Sequence, residues 1–210
     1  GVNELLENCV ELIPEGGEHS ERPALRIAIV GRRNAGKSTF VNALIGEERV
    51  IVSDVAGTTR DAIDIRSERD GIPFVVIDTA GLLRTAKLKD SIEFYAQNRA
   101  LHSIGRSDVV ILVIDAMHGT SQLDMRIARE VVDRYKPCVI AVNKWDLAKD
   151  KTSTEEYEEY LTRNLPSLSY APVLFMTAEK GKNVTRCISL VQSMAKQANK
   201  RVNTGALNRA

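Results

Sequence analysis

Short apolar runs recur along the chain, and most are followed by a stretch whose apolar residues return at helical spacing. Ile27-Ala28-Ile29-Val30, Pro73-Phe74-Val75-Val76-Ile77, Val109 to Ile114, Cys138 to Val142 and Pro172 to Met176 are short and continuous. They read as strands buried on both faces. Ala62-Ile63-Asp64-Ile65 alternates instead, as a half-buried strand does, and Asp70-Gly71 before the next run marks a hairpin turn. Helical patterns fill the gaps: Phe40 to Ile45, about Ser91 to Ile104, about Ser121 to Tyr135, an acidic helix opened by Thr154, and about Val184 to Lys200. The acidic helix has an imperfect capping signal, Thr154 with Tyr157-Glu158 nearby. Strands alternating with helices predict an α/β fold: a mostly parallel six-stranded sheet with helices on both faces and one antiparallel hairpin strand. Ligands of such sheets sit beyond the carboxyl ends of the strands, and the short motifs of this chain stand where strands end.

The termini depart from this rhythm. Residues 3–13 carry an amphipathic turn or two of helix, halted near Pro14, and residues 14–24 are rich in Pro, Gly and charge, as linkers are. The expected organisation is therefore a helix stub and linker over 1–24, one domain over 25–200, and a tail over 201–210 that begins a pattern without finishing it.

Composition narrows the class without naming a partner. With 210 residues, 43% hydrophobic and 27% charged, the chain can bury a sizeable core. A formal net charge of +1 means that any nucleic-acid surface must be a local patch. Cys9, Cys138 and Cys187 are widely spaced and suit buried free thiols in a reducing cytoplasm better than disulfides or a metal site. The longest apolar run, Val109 to Ile114, is fenced by Asp108 and Asp115 and is far too short to span a bilayer. No signal peptide is visible, so the expected location is cytoplasmic, with no membrane partner. The chain begins at Gly1 with no initiating Met, which suggests an excised piece.

The chemistry is concentrated in a few stretches. Gly31-Arg32-Arg33-Asn34-Ala35-Gly36-Lys37-Ser38-Thr39 reads G-x-x-x-x-G-K-S between a strand and a helix, the context a phosphate-binding loop needs. Amides of Asn34, Ala35, Gly36, Lys37, Ser38 and Thr39 can face phosphate oxygens beside the positive end of a helix. Lys37 should reach the β- and γ-phosphates, and the Ser38 hydroxyl should bind Mg²⁺. Asp78-Thr79-Ala80-Gly81 follows a buried strand; Asp78 suits a magnesium carboxylate, commonly acting through water, and Gly81 can approach the γ-phosphate. Gly57-Thr58-Thr59 in a long polar loop supplies a hydroxyl for the metal shell, assigned to Thr59 with Thr58 as its rival. Asn143-Lys144-Trp145-Asp146 should select the base. Guanine offers two adjacent N–H donors that the Asp146 carboxylate can accept together, and adenine has no such pair. Asn143 should tie this loop to the phosphate loop, the Lys144 stem should lie along the base, and the Ala178 amide in Thr177-Ala178-Glu179 should meet guanine O6.

This ordered set resembles the Ras-like, translation-factor-related GTPase domains, a class of P-loop NTPase, over about Leu25 to Gln197. More closely, the phosphate loop, Asp54-Val55-Ala56-Gly57-Thr58-Thr59-Arg60-Asp61, Lys87-Leu88-Lys89-Asp90-Ser91-Ile92-Glu93-Phe94-Tyr95 and Asn143-Lys144-Trp145-Asp146-Leu147 resemble the second GTPase domain of the Der/EngA ribosome-assembly GTPases. That resemblance implies GTP and GDP as ligands with Mg²⁺. It also implies a neighbouring GTPase domain, a KH-like domain, and the large ribosomal subunit or its precursor as partners. The start resembles the last helix of a preceding domain, and Asn203 to Arg209 resembles the beginning of the KH-like one. Leu82 stands where many small GTPases carry a water-orienting Gln. Related GTPases with Asn at the Asn34 position bind K⁺ with it and with carbonyls of the Asp54–Thr58 loop, so potassium is a candidate activator here. The implied catalytic set is Lys37, Thr59, Gly81 and Asn34, with slow turnover by the domain alone. Two departures stand out: Arg33 where Pro is usual, and Thr177 where Ser is usual, both roles being expected to rest largely on backbone. The alternatives are a tRNA-modification GTPase domain and a nucleotide-gated binding module with negligible turnover.

Overall fold

A computed structural model describes residues 24–47, 64–79 and 92–200. Its strands are β1 (Leu25–Val30), β2 (Ile65–Arg69), β3 (Ile72–Val76), β4 (Val109–Asp115), β5 (Cys138–Asn143) and β6 (Val173–Phe175). Its helices are α1 (Lys37–Glu47), α2 (Ile92–Arg106), α3 (Gln122–Asp133), the short α4 (Trp145–Ala148), α5 (Thr154–Asn164) and α6 (Val184–Ala198), with 3₁₀ turns at Pro166–Leu168 and Ala178–Lys180. The predicted α/β class and its six-stranded sheet are observed.

The sheet runs β2-β3-β1-β4-β5-β6, with β2 and β3 antiparallel and every other pair parallel. From β1 the chain goes to β2 and β3 on one side, then returns past β1 to β4 on the other. The carboxyl end of β1 is therefore the switch point where open α/β sheets bind ligands, and the phosphate loop begins there.

Strand alternation explains the layering. Ile27 and Ile29 join one apolar cluster with Phe40, Val41 and Leu44 of α1 and Val184, Ile188 and Val191 of α6. Ala28 and Val30 join the other, with Ile104 of α2, Ile127 and Val131 of α3, and Leu161 of α5. Successive side chains of a strand point to opposite faces, so a continuous apolar run is what a sheet covered on both sides requires. All seven residues of β4 are buried.

The boundaries moved where local chemistry outweighed pattern. β2 starts at Ile65, where the expected alternation ended, and buries Ile65 and Ser67 while Arg66 and Glu68 face out. Asp70 and Gly71 have φ of +51° and +72°, the paired positive values of a tight hairpin turn. Thr154 opens α5 as expected, but it is not the cap. Ser153 caps it: the Ser153 hydroxyl accepts from the Glu156 amide, and the Glu156 carboxylate accepts from the Ser153 amide. The reciprocal pair lies one residue earlier than the reading that used Thr154. Cys138 and Cys187 are buried free thiols, each pushed up to about 12 by burial. Among the described residues no helix is long and apolar enough to cross a membrane. The N-terminal helix, the linker, Cys9, Ala62, Ile63 and the tail lie outside the described residues.

Candidate nucleotide-binding site

The phosphate loop is fitted against the ends of β4 and β5. Gly31 has φ +136°, and a Cβ there would run into the Val113 carbonyl of β4. Gly36 has φ +94°, and a Cβ there would strike the Asn143 side-chain amide. Both glycines are thus required by backbone angle and by packing. Lys37 curls back over the loop, its Nζ donating to the Gly31 carbonyl at 2.8 Å and the Arg32 carbonyl at 2.6 Å. Burial pushes this ammonium down to about 8, and an arriving phosphate would favour its charged form. Ser38 and Thr39 are exposed in the first turn of α1, where unpaired helix N–H groups and the helix dipole attract anions. Asn34 is exposed with φ +63°, and Arg33 is exposed beside it.

The base end is held by one buried side chain. Asn143, the last residue of β5, is 3% exposed. Its Nδ2 donates to the Ala35 carbonyl at 2.9 Å, and its Oδ1 accepts from the Ala178 amide at 3.0 Å. The expected tie to the phosphate loop is present. The Ala178 amide, expected to face guanine O6, is engaged by Asn143 in this structure, because a buried carbonyl oxygen needs a donor. Trp145 fixes the loop from below, with its ring centroid 4.3 Å from Phe175 and 5.6 Å from Tyr157. Asp146 accepts from the Thr177 hydroxyl at 3.3 Å and from Lys180 Nζ at 2.8 Å. The Lys180 hydrogen bond is the main cause that holds the Asp146 carboxyl below the usual range. Thr177 therefore acts through its side chain, not only its backbone, and its hydroxyl is the feature it shares with Ser. Glu179 is exposed.

Lys144 has φ +61° and donates from Nζ to Asp115 Oδ2 at 2.7 Å. Asp115 is 1% exposed. It also accepts from the Met117 amide at 2.9 Å, meets His118 Nδ1 at 3.1 Å and faces an Arg32 guanidinium nitrogen at 3.5 Å. Burial alone would raise the Asp115 carboxyl, but the bonds from Lys144, Met117 and His118 outweigh it and hold it below the usual range. In the sequence Asp115 stands out only as the fence of an apolar run. The available signal was its place at a strand end, shared with every motif of the site.

The third cluster surrounds Asp78, carried just past β3 by Ile77, whose amide donates to the Ile27 carbonyl at 3.0 Å. Asp78 has φ +58°. Its Oδ2 accepts from Ser103 Oγ at 2.8 Å, and Arg99 Nε stands 3.8 Å from its Oδ1. Its own amide donates to Asp64 Oδ1 at 2.9 Å, and Asp64 in turn pairs with Arg106 at 3.3 Å. Asp78 is thus joined to α2 and to Asp64. The Ser38 hydroxyl and the Asp78 carboxylate are hard oxygen donors of the kind Mg²⁺ takes. Thr58, Thr59, Gly81 and Leu82 lie outside the described residues.

A phosphate loop at the switch point, joined by the strand-end Asn143 to the Ala178 turn, is the arrangement of a P-loop GTPase domain. The family model described as 50S ribosome-binding GTPase matches residues 26–144, and the chain belongs to that family. The model for the elongation factor Tu GTP-binding domain matches residues 92–197. The chain is 43% identical over 209 residues to GTPase Der of Rhodopirellula baltica, covering 99% of this chain and 46% of that protein. It is 45% identical to GTPase Der of Halothermothrix orenii, covering 99% and 48%. The chain thus spans about half the length of the curated relatives it matches. Among solved structures it is similar to Aquifex aeolicus Era bound to GDP·AlF4⁻, with TM-score 0.58 and 27% identity over 84% of this chain and 57% of that one. It is also similar to Era in complex with MgGDPNP and nucleotides of 16S ribosomal RNA, with TM-score 0.59 and 26% identity over 86% and 58%. The FeoB G domain of Methanococcus jannaschii shares the fold, with TM-score 0.54 and 22% identity over 82% and 98%.

Proposed function

We propose that this GTPase domain works as the nucleotide switch of a protein that assembles the large ribosomal subunit, and that it acts in the cytoplasm. The observation that supports the nucleotide site most is the Asn143 side chain, which bonds the phosphate loop at Ala35 and the Ala178 amide at once; the GTPase Der relatives support the large-subunit role. In this reading the amides of Asn34 to Thr39 and the Lys37 ammonium hold the phosphates. Asp146 accepts both guanine donors, with Thr177 and Lys180 keeping it ionised and aimed. The Lys144 stem lies along the base while Asp115 fixes its ammonium. Ser38, Thr59 and Asp78 hold Mg²⁺, which when bound neutralises charge on the β- and γ-phosphates. Gly81 meets the γ-phosphate. With Leu82 unable to orient water, Asn34 supports a K⁺ ion against the phosphates, where a cation acts as an arginine finger does.

GTPase Der relatives at 41–45% identity favour this reading over a tRNA-modification domain. The large subunit or its precursor, a second GTPase domain and a KH-like domain are the proposed partners. A binding measurement with fluorescent GDP tests the base: GTP should displace it and ATP should not. Hydrolysis at equal ionic strength in potassium and sodium chloride tests the cation. A potassium advantage that disappears in Asn34→Ala supports the assignment, and equal rates in both salts remove it.

A further inference from the structure

We propose that the outward face of helix α6 is a docking surface for the phosphate backbone of RNA. The inference rests on the reading of this domain as part of a protein that assembles the large ribosomal subunit. Charge along the chain carries it first. From Lys180 onward the sequence holds seven Lys and Arg and no Asp or Glu, while the 179 residues before it hold 22 Lys and Arg and 28 Asp and Glu. The net charge of +1 is thus a basic end balanced against an acidic body. The fold keeps the two apart. α6 buries Val184, Cys187, Ile188 and Val191 with α1 on one side of the sheet and turns Arg186, Ser193 and Lys196 outward, with Lys182 exposed just before it and Lys200 just after. Arg186 and Lys196 stand about 15 Å apart along the helix. The acidic α5, with Glu155, Glu156, Glu158 and Glu159 exposed, packs on the other side of the sheet.

Helix physics does not account for these cations. The dipole favours a cation at the carboxyl end, where Lys196 stands, and disfavours one at the amino end. Arg186 nevertheless lies in the first turn of α6, which has no acidic residue and no side-chain cap. Lys180 is held by Asp146, but among the described residues none of Lys182, Arg186, Lys196 and Lys200 pairs with a carboxylate. A local rule broken without local compensation points to function. A polyanion supplies the compensation, since the unpaired amides of the first turn and Arg186 attract it together. None of the large apolar side chains exposed among the described residues lies on α6, so the face lacks the anchors of a protein interface. Its apolar side is committed to the core and is not free to enter lipid. Cations with small polar neighbours, such as Ser193, suit a phosphate backbone, and the acidic α5 steers that backbone to this side.

The test is the affinity of the GDP-bound chain for a fluorescent RNA hairpin, measured across salt concentrations. One variant combines Lys182→Gln, Arg186→Gln, Lys196→Gln and Lys200→Gln. A control of equal charge change combines Arg129→Gln, Lys149→Gln, Lys151→Gln and Arg163→Gln, all at exposed positions elsewhere. With four phosphates neutralised, wild-type affinity should fall by about 50-fold for a fourfold rise in salt. The α6 variant should bind at least about tenfold more weakly at low salt and lose most of that dependence, and the control should stay within about threefold of wild type. Arg186→Glu alone should weaken the hairpin by at least about fivefold while its melting temperature holds or rises, because a carboxylate suits the helix start. Wild-type binding in the α6 variant or in Arg186→Glu, or an equal loss in the control, overturns the surface. Anionic phospholipid vesicles or polyglutamate bound as tightly as the hairpin overturn the RNA assignment. Sedimentation with large ribosomal subunits tests the reading beneath: a wild type that binds the hairpin through α6 but not the subunits overturns the ribosomal role alone.

Discussion

The base end and the metal end of this site are built on opposite plans. On the side proposed to hold the base, the polar groups are already joined to one another. Asn143 satisfies one loop with its amide nitrogen and another with its oxygen, and Asp115 pins the ammonium of Lys144. In the proposed reading these bonds would hold the base contacts in place on binding, and such preorganisation favours affinity. On the side proposed to hold the metal, Asp78 is joined to α2 through Ser103 and Arg99. The difference divides the labour. GDP and GTP share the base, so the rigid end supplies affinity common to both. They differ beyond the β-phosphate, so the Asp78 end is where the two nucleotides can bias the fold differently. A switch needs both plans in one site, since a ligand with equal affinity for two states shifts neither.

The largest effect should come from reversing the hydrogen-bond code of the rigid end. Asp146→Asn replaces two acceptors with one acceptor and one donor, so the guanine amino group would face an N–H₂ group. GDP affinity should fall by at least about 100-fold. Xanthine carries a carbonyl where guanine carries the amino group, so xanthosine diphosphate should bind the variant better than GDP does. Competition of the two diphosphates against a fluorescent analogue measures this, and a variant that still prefers GDP breaks the base-end assignment. Asn143→Ala should act one step less directly. It orphans the Ala35 carbonyl and the Ala178 amide, costing about 2–3 kcal/mol of stability. It should weaken GDP and GTP by the same factor, about tenfold or more. Unequal losses for the two nucleotides would mean that the ends are not separable.

Much of the base end was legible because its chemistry is local. Asn143-Lys144-Trp145-Asp146 is contiguous, follows a buried strand, and carries side chains whose donors and acceptors fit guanine. The sheet was legible for a related reason: each run from Ile27 to Met176 is continuous or alternating, and period decides burial. What escaped were partners brought together only by topology. Lys144 meets Asp115 across 29 positions and Asp78 meets Ser103 across 25, and no short pattern announces either pair. Ser103 and Arg99 sit inside an ordinary helical pattern, where a hydroxyl and a cation read as one more turn. For Thr177, whose role is expected to rest largely on backbone, the motif names the position and not the hydroxyl that also reaches Asp146. The α5 cap slipped by one residue because Ser153, Thr154 and the acidic run offer overlapping capping pairs, and only geometry chooses among them.

Asp115 tests the rigid end through pH. Its folded carboxyl lies below the ordinary value, so between the two values the unfolded chain binds more protons than the folded one. Stability therefore rises with pH through that window, is fully present above the ordinary carboxylate range, and is lost as pH falls through the folded value. Asp115→Asn should cost about 2 kcal/mol at neutral pH, less than a fully enclosed pair because Lys144 and Arg32 keep one side in water. It should also flatten the loss of stability as pH falls below the ordinary carboxylate range. Urea midpoints across that range for the two proteins measure both effects. A parallel acid limb in the variant would mean that other carboxylates, such as Asp108 beside Arg26, dominate it.

The smallest effect marks how far the rigid end extends. α5 buries Tyr157 against Trp145, so the helix props the base loop, and the Tyr157 amide closes the first turn on the Ser153 carbonyl. Ser153→Ala removes a hydroxyl that caps the Glu156 amide and should lower stability by about 1 kcal/mol. Thr154→Ala should cost a few tenths at most, since Thr154 is the first helical residue and its hydroxyl reaches only the exposed Glu155. Affinity for GDP should stay within about twofold in both, because no bond of the Asn143 or Asp115 clusters passes through this turn. Thermal melts with and without GDP separate the two quantities. If Ser153→Ala weakened GDP as strongly as it weakened the fold, the base end would include the whole of α5, and its rigidity would be a property of the helix layer more than of the two strand-end side chains.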